Sequence, residues 1–291
     1  MSRTQLSSHH LMPFAAAMAG VGFLSLMDAF MKEAALAAGA YTATVLRSLI
    51  GAAIIAPFWL ARRTEWPSTA ALKLHLERGV ISAFMALSFF FALTKLPLAE
   101  AIAISFVAPL IALYFARVLL GEVIHRHAIF ASILGFAGTL VIVGGKIGQG
   151  DFDRDTLLGL VSLLFSAVLY AYNFIVIRRQ SQIAGPLEIA TFHSGVGGLI
   201  LLAFAPFLWA SPPVDALGTI TIASALTVTG AMAIAWAYAR KEAQALVPIE
   251  YSGFLWASLF GWLFFRESVT LPTIAGTALI VSGCWLAIKK S

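Results

Sequence analysis

The chain has 291 residues, 60% hydrophobic and only 11% charged, with a formal net charge of +5 and one cysteine, Cys284. A soluble domain carries about 25% charged residues, so this chain lacks the charge to cover a water-facing surface, and lipid is its solvent. The lone cysteine excludes an intrachain disulfide and any cysteine-based metal site, and the surplus of Lys and Arg marks orientation in a membrane rather than affinity for nucleic acid.

Met1–His10 is a short polar leader, and the apolar run behind it lacks an Ala-x-Ala-like processing site, so it reads as a retained first span. Ten spans are predicted: approximately Leu11–Met31, Tyr41–Ala61, Gly79–Thr94, Ala99–Leu120 and His127–Gly145, then Leu157–Ile177, Leu187–Trp209, Leu217–Ala239, Ala243–Phe265 and Val269–Ile288. Most are close to the roughly 20 residues a helix needs to cross about 30 Å of hydrocarbon. Helix is forced, because lipid offers open backbone groups no partner. A barrel would show alternating segments of about ten residues, and these runs are continuous.

Lys and Arg set the orientation. With the N-terminus inside, the inner segments hold Arg3, Arg62, Arg63, Lys73, Arg78, Arg117, Arg126, Arg178, Arg179, Arg240, Lys241, Lys289 and Lys290. The outer segments hold Lys32, Lys95, Lys146, Arg154 and Arg266, and Arg47 lies within a span. Thirteen against five puts both termini in the cytoplasm, with the acidic connection Lys146–Thr156 outside.

The stretch Leu96–Gly145 recurs. With Glu122 laid on Glu267, an offset of 145, Ala92 meets Ala237, Leu110 meets Leu255, Phe115 meets Phe260 and Gly138 meets Gly283. This ungapped register reads as an internal duplication. Five spans per half is an odd number, so the second half enters from the opposite side. The expected fold is an all-α membrane protein: ten transmembrane helices as two inverted five-helix repeats, residues 1–146 and 147–291, with the site near the midplane between them.

A Pro-bearing span (Pro109), then Leu119-Leu120-Gly121-Glu122, then a Gly-spaced helix resembles the EamA type of the drug/metabolite transporter superfamily, over essentially the whole chain. Within it the chain is most similar to the amino-acid exporters, including the aromatic amino-acid branch. The second half departs from the pattern: Arg266-Glu267 stands at the place of Gly121-Glu122, and Phe254 at that of Pro109. The resemblance implies export of amino acids or similar amphiphilic metabolites across a bacterial cytoplasmic membrane.

Catalytic motifs are missing. Gly144-Gly145-Lys146 is not a phosphate-binding loop, no H-E-x-x-H is present, and His9-His10 and His125-x-His127 are too sparse for a metal. No cofactor and no enzymatic activity are expected; a gradient supplies the energy. The candidate substrate-binding residues are polar groups at membrane depth, which are costly there: Asp28 and its repeat mate Asn173, Arg47 with His193 near its counterpart, and Glu250 beside Tyr251. Two readings stand for Asp28 and Arg47, a structural pair or a functional one. Aromatic candidates are Phe84, Ser88 and Phe91 on one face of span three, expected to look across a cavity toward Met232, Ala233 and Trp236, with Tyr172, Tyr251 and Trp256 completing the walls. Packing alone also explains such stripes.

Pro109 and Pro248 are expected bends or hinges. Glu122 and Glu267 are expected to cap or pair locally, Glu100 to be structural or solvated, and the small residues Ala131, Gly135, Gly138, Gly276 and Gly283 to form a helix seam. The expected partners are a small-molecule substrate and the bilayer. Rival readings are import or exchange of a drug, a phosphorylated or a nucleotide-linked solute, which would want several midplane cations where only Arg47 qualifies, and a membrane-embedded enzyme, for which no acid and base pair is evident.

Overall fold

The computed structural model describes residues 3–63, 65–120, 126–148, 153–238, 240, 249 and 251–288. Among them the secondary structure is helical: α1 (Arg3–Ala38), α2 (Ala40–Arg62), α3 (Thr69–Leu93), α4 (Leu98–Ser105), α5 (Ala108–Leu120) and α6 (Arg126–Gly148) come first. They are followed by α7 (Arg154–Gln180), α8 (Pro186–Leu202), α9 (Ala205–Leu208), α10 (Val214–Tyr238), α11 (Gly253–Phe265) and α12 (Leu271–Ile288). Among the described residues six stretches are long and apolar enough to cross a membrane, one of them the broken pair α4–α5, and four further apolar helices are shorter. Large apolar side chains such as Phe136 and Leu255 point outward, 62% and 68% exposed. Only lipid makes such a surface favourable.

Local chemistry accounts for the punctuation. A single residue, Gly39 at φ 80°, joins α1 to α2, a backbone value that glycine takes without strain. Ser68 accepts from the Ala71 N–H to start α3. Asp153 accepts from the Thr156 N–H at 2.7 Å to start α7, and these hydrogen bonds hold its carboxyl below the ordinary aspartate value. The fourth expected span breaks at Phe106–Val107, directly before Pro109. There the backbone turns through short-range bonds from Phe106 to Ala103 and from Val107 to Ile104, because a proline has no N–H to continue the ladder.

Helix packing follows the 145-residue offset. α1 runs along α10, and its counterpart α7 runs along α3. α2 meets α10 as α8 meets α3, and α1 meets α11 as α7 meets α4 and α5. The pairs α2–α8 and α6–α12 each join a helix to its own counterpart, and α11, the counterpart of α5, packs on α4. The α6–α12 pair is the expected small-residue seam: a side chain on Gly138 would strike the Gly276 carbonyl, and the reverse.

The third span starts earlier than its apolar run. α3 begins at Thr69, so Arg78, counted from the sequence as a loop charge, lies inside the helix and is buried. Lys32, within α1 and equally buried, leaves the outer count by the same rule, so the basic bias becomes twelve against four. Arg78 can sit inside α3 because α7 supplies it with acceptors.

Candidate functional site

Those acceptors open a polar chain between α3, α7 and α8. Arg78 donates from Nε to Asn173 Oδ1 and from Nη1 to Gln180 Oε1, each at 3.1 Å. With its oxygen engaged, Gln180 turns its amide nitrogen to His75 Nδ1 at 2.6 Å. His75 must then carry its proton on Nε2, from which it donates to Glu188 Oε1 at 2.8 Å. His75, Arg78, Asn173 and Gln180 are all buried. Phe192 stacks flat on the His75 ring at 4.3 Å and takes Trp59 edge-on. Glu188, the last member, reaches the wall of a cavity of about 530 Å³ that Trp59, Arg63, Trp66, Pro67 and Pro186 also line. This is the relay end of the molecule.

The opposite end carries a different contact. Lys32, at the end of α1, forms an ion pair with Glu267 and donates to the Leu96 carbonyl at 2.7 Å. The second carboxylate oxygen of Glu267 accepts from the Leu98 N–H, the first of α4, at 2.7 Å. This latch joins the two halves, and both side chains are largely buried. Glu267 therefore pairs not locally, as its sequence setting implies, but across 235 positions. It can turn inward because Arg266 adopts a left-handed conformation at φ 56°, so that the Arg266 and Glu267 N–H groups bond back to Trp262 and Gly261. This is the glycine-type helix ending, which explains why a Gly-Glu pair belongs at the joint. Glu100 is buried beside the latch and accepts from Thr273.

Between the two ends lies a third group. Arg47 on α2 and His193 on α8 flank a void of about 10 Å³ with Ser48, Ser82 and Ser194, room for about one water. Arg47 Nε and His193 Nδ1 are buried without a hydrogen-bond partner. The Arg47 guanidinium lies over the Phe90 ring at 5.2 Å. Asp28 on α1 is close enough for its charge and that of Arg47 to act on each other, yet among the described residues no ion pair joins them.

The model of the EamA-like transporter family matches residues 11–144 and again 157–289. This chain belongs to the EamA-like transporter family. It is similar to the pseudopaline exporter of Pseudomonas aeruginosa, with 27% identity over 92% of each chain. It also resembles the S-adenosylmethionine uptake transporter of Rickettsia prowazekii, 22% identical over 92% of this chain and 90% of the relative. The riboflavin transporter of Brucella anthropi is 22% identical, over 83% and 85%. A crystal structure superposes with a TM-score of 0.61 at 20% identity, covering 97% of both chains, which bears on fold alone. The protein is thus a multi-pass membrane protein of a transporter family whose relatives carry small molecules.

The EamA-like scaffold brings Arg47 and His193 to one void and places Asn173 in the relay. Tyr172 donates to Glu77 at 2.7 Å and meets Phe115 edge-on. Tyr251 meets its repeat mate Phe106 edge-on, and Trp256 stacks on Phe260. Among the described residues, the aromatic candidates have these partners. Phe84 packs against Phe204, Ser88 and Phe91 are partly buried, Met232 points outward at 57% exposure, and Trp236 lies under Arg240 at 3.9 Å. The cause is packing: α3 lies against α7 and α8, α10 against α1 and α2, so the two faces meet different partners. Glu122, His125, Pro248 and Glu250 lie outside the described residues. Sequence reading missed His75, Gln180, Glu188 and the latch. The available signal was the charge in His75, Glu77 and Arg78, which it treated as the edge of a loop.

Proposed function

We propose that this chain is a secondary transporter that exports amino acids or similar amphiphilic metabolites across the bacterial cytoplasmic membrane. The reading takes ten spans as two inverted repeats, residues 1–146 and 147–291, with both termini in the cytoplasm. One observation carries it: Arg47 Nε and His193 Nδ1, buried without a hydrogen-bond partner, lie between an end where the Lys32–Glu267 ion pair joins the halves and an end that opens in a cavity. Alternating access needs a site with one closed and one open approach, and inverted repeats supply two related conformations. The neighbour relations that exchange under the 145-residue offset support the repeats. Absence of catalytic motifs in the sequence and the transporter relatives support carriage rather than chemistry.

Arg78 adds a second cation at depth, but Asn173 and Gln180 engage it. A phosphorylated solute is therefore no better served than the sequence implied. Uptake is the second reading of direction, favoured by the name of the Rickettsia relative.

Counterflow in proteoliposomes tests the function. Vesicles preloaded with unlabelled L-phenylalanine, L-leucine or glycine should accumulate the labelled solute faster than empty ones. If no amino acid exchanges while a sugar or nucleotide does, the substrate class is wrong. Cysteines introduced at Gln149 and Ser291 in a Cys284→Ala background should label from opposite sides; labelling from one side overturns the ten-span, inverted layout.

A further inference from the structure

We propose that the cavity at the relay end is the loading site for the solute, with Arg63 as the contact for a carboxylate and the second oxygen of Glu188 as the contact for an amine on the same molecule. This rests on the amino-acid reading above and gives it a site. The cavity lies beside Arg62 and Arg63, which the proposed orientation puts on the cytoplasmic side, where an exported solute arrives.

Both groups are held in place and left unsatisfied. Arg63 ends α2: its backbone N–H bonds to the Trp59 carbonyl at 2.8 Å, and its guanidinium lies over Trp66 at 4.0 Å and over Trp59 at 5.7 Å. Indole rings hold the flat of a guanidinium and take none of its in-plane N–H groups. Among the described residues no ion pair and no side-chain hydrogen bond takes them either. Glu188 gives one oxygen to His75 and has no partner for the other among the described residues. A planar fork of donors matches a carboxylate, and a free carboxylate oxygen matches an ammonium. One packed stack carries both poles: Arg63 on Trp59, Trp59 edge-on to Phe192 at 5.2 Å, Phe192 flat on His75, and His75 on Glu188. Poles fixed in this way lose little freedom on binding.

The duplicated scaffold supplies a control. Under the 145-residue offset Arg63, Glu65 and Glu188 correspond to Leu208, Ala210 and Ala43. There the chain closes on itself: Thr42 and Ala210 exchange two hydrogen bonds at 3.0 Å, and Tyr41 donates to the Leu201 carbonyl. The fold therefore does not need charge at this place. The lining of the cavity suits a small solute. Arg62 and Arg63 balance Glu65 and Glu188 around a volume of about 530 Å³, within the range of small-molecule sites, about 300–1,000 Å³. A lining in balance has no net pull on an anionic lipid surface and complements a solute that carries both signs. Pro67, Ile183, Pro186 and Leu187 add apolar wall for the rest of the molecule, and no helices need part to admit it.

A reporter on the cavity wall tests the site. Ile183, 50% exposed, is replaced as Ile183→Cys in a Cys284→Ala background, and the full chain in phosphatidylcholine nanodiscs is labelled with a water-soluble thiol reagent. The concentration that halves the labelling rate is read for L-phenylalanine, phenethylamine (no carboxylate) and 3-phenylpropanoate (no amine). Phenylalanine should act at about tenfold lower concentration than either analogue, the scale of one charge-assisted contact. Arg63→Gln should erase the advantage over phenethylamine and keep that over 3-phenylpropanoate, and Arg63→Lys should restore only part of it. Glu188→Gln, which keeps an acceptor for His75, should do the reverse. Each variant is scored by ratios among ligands, so a loss of folded protein does not mimic the pattern. No protection by any probe, equal action of all three, or ratios unchanged in both variants overturns the site. So does phosphatidylglycerol in the nanodisc slowing the label by itself while phenylalanine adds nothing, which would assign the cavity to a lipid head group. Amino-acid counterflow without protection at Ile183→Cys leaves the export reading standing and removes only this site; absence of both removes both.

Discussion

Two seams of this molecule share one packing plan and differ in chemistry. On one, α3 meets α7 and α8 through Arg78, Asn173, Gln180, His75 and Glu188. On the other, α10 meets α1 and α2, and the positions 145 residues away are Ala223, Asp28, Ala35, Ile220 and Ala43. Ala35, Ala43, Ile220 and Ala223 are buried. A duplicated scaffold thus keeps a continuous hydrogen-bond chain in one copy and a mainly apolar contact in the other, crossed by the Ser224 hydroxyl donating to the Arg47 carbonyl at 3.1 Å, with Asp28 left over. A hydrogen-bonded seam has a fixed register, since each polar atom must find its mate, whereas the mainly apolar seam is held by close packing such as Gly20 against Ile234 and Gly230. The difference gives the relay seam a register fixed by hydrogen bonds and leaves the other to packing.

The harshest way to break this comparison is to write the polar chemistry into the apolar seam. Ala43→Glu places at 0% exposure the carboxylate that its counterpart position, Glu188, carries at the edge of a cavity. No His75 equivalent awaits it, because that position is Ile220. An isolated buried carboxylate costs several kcal/mol or more, roughly the whole stability of a domain. The variant should fail to yield monodisperse protein in detergent. Normal yield and a normal unfolding midpoint would show that the second seam is wetter than its burial implies.

Taking the chemistry out of the relay should cost less. Arg78→Leu leaves Asn173 Oδ1 and Gln180 Oε1 buried without their donor, at about 1–3 kcal/mol each. The midpoint of denaturant unfolding should fall by the equivalent of about 2–5 kcal/mol. Arg78→Lys should recover only part, as an ammonium cannot reproduce the two-point fork. An unchanged midpoint in Arg78→Leu would mean that the relay does not stabilise the fold, and the fixed-register argument would fail with it.

The legibility of the two seams in the sequence differs for the same reason. Helix, membrane, duplication and family were plain, because lipid enforces long apolar runs and the Gly-Glu joint carries a backbone requirement. The break before Pro109 and the Gly138–Gly276 seam also follow from local rules. The relay does not. His75, Gln180 and Glu188 stand on three helices, and no spacing links them. Arg78 disappeared from view because a charge ends an apolar window, although two amides one span away make its burial tolerable. The Lys32–Glu267 latch is hidden for the same reason, and the faces of α3 and α10 were assigned to one cavity because repeat symmetry gives equivalence, not contact. Asp28 and Arg47 stood out as depth charges; what sequence could not show is that Arg47 Nε and His193 Nδ1 remain unmated among the described residues.

The latch sharpens the contrast between the two ends. Glu267→Gln keeps the shape and the acceptor for the Leu98 N–H but removes the charge opposite Lys32. Weakening of about 1–3 kcal/mol is enough to shift a balance between two conformations by about fivefold to 150-fold. In a Cys284→Ala background, a cysteine at Met27, 8% exposed and below the latch on α1, should react slowly with a water-soluble thiol reagent. Adding Glu267→Gln should speed the reaction about fivefold or more. Equal rates would show that the latch does not hold this end shut.

The smallest effect concerns one backbone position. Arg266 stands where the first half has Gly121, and it adopts φ 56°, a left-handed conformation that costs a residue with a Cβ about 1–2 kcal/mol. Its side chain recovers some of this by lying over Trp262 at 5.5 Å. Arg266→Gly removes the strain and that contact together, and it adds freedom to the unfolded chain. The net gain should therefore be at most about 1 kcal/mol. The helix ending, with Glu267 N–H bonded to the Gly261 carbonyl, should persist, and the latch with it. Hence the unfolding midpoint should rise slightly while the Met27→Cys labelling rate stays at the wild-type value. A clear drop in the midpoint would show that the guanidinium over Trp262 matters more than the backbone, and that the second half left the Gly-Glu pattern to gain a contact rather than merely tolerating a misfit.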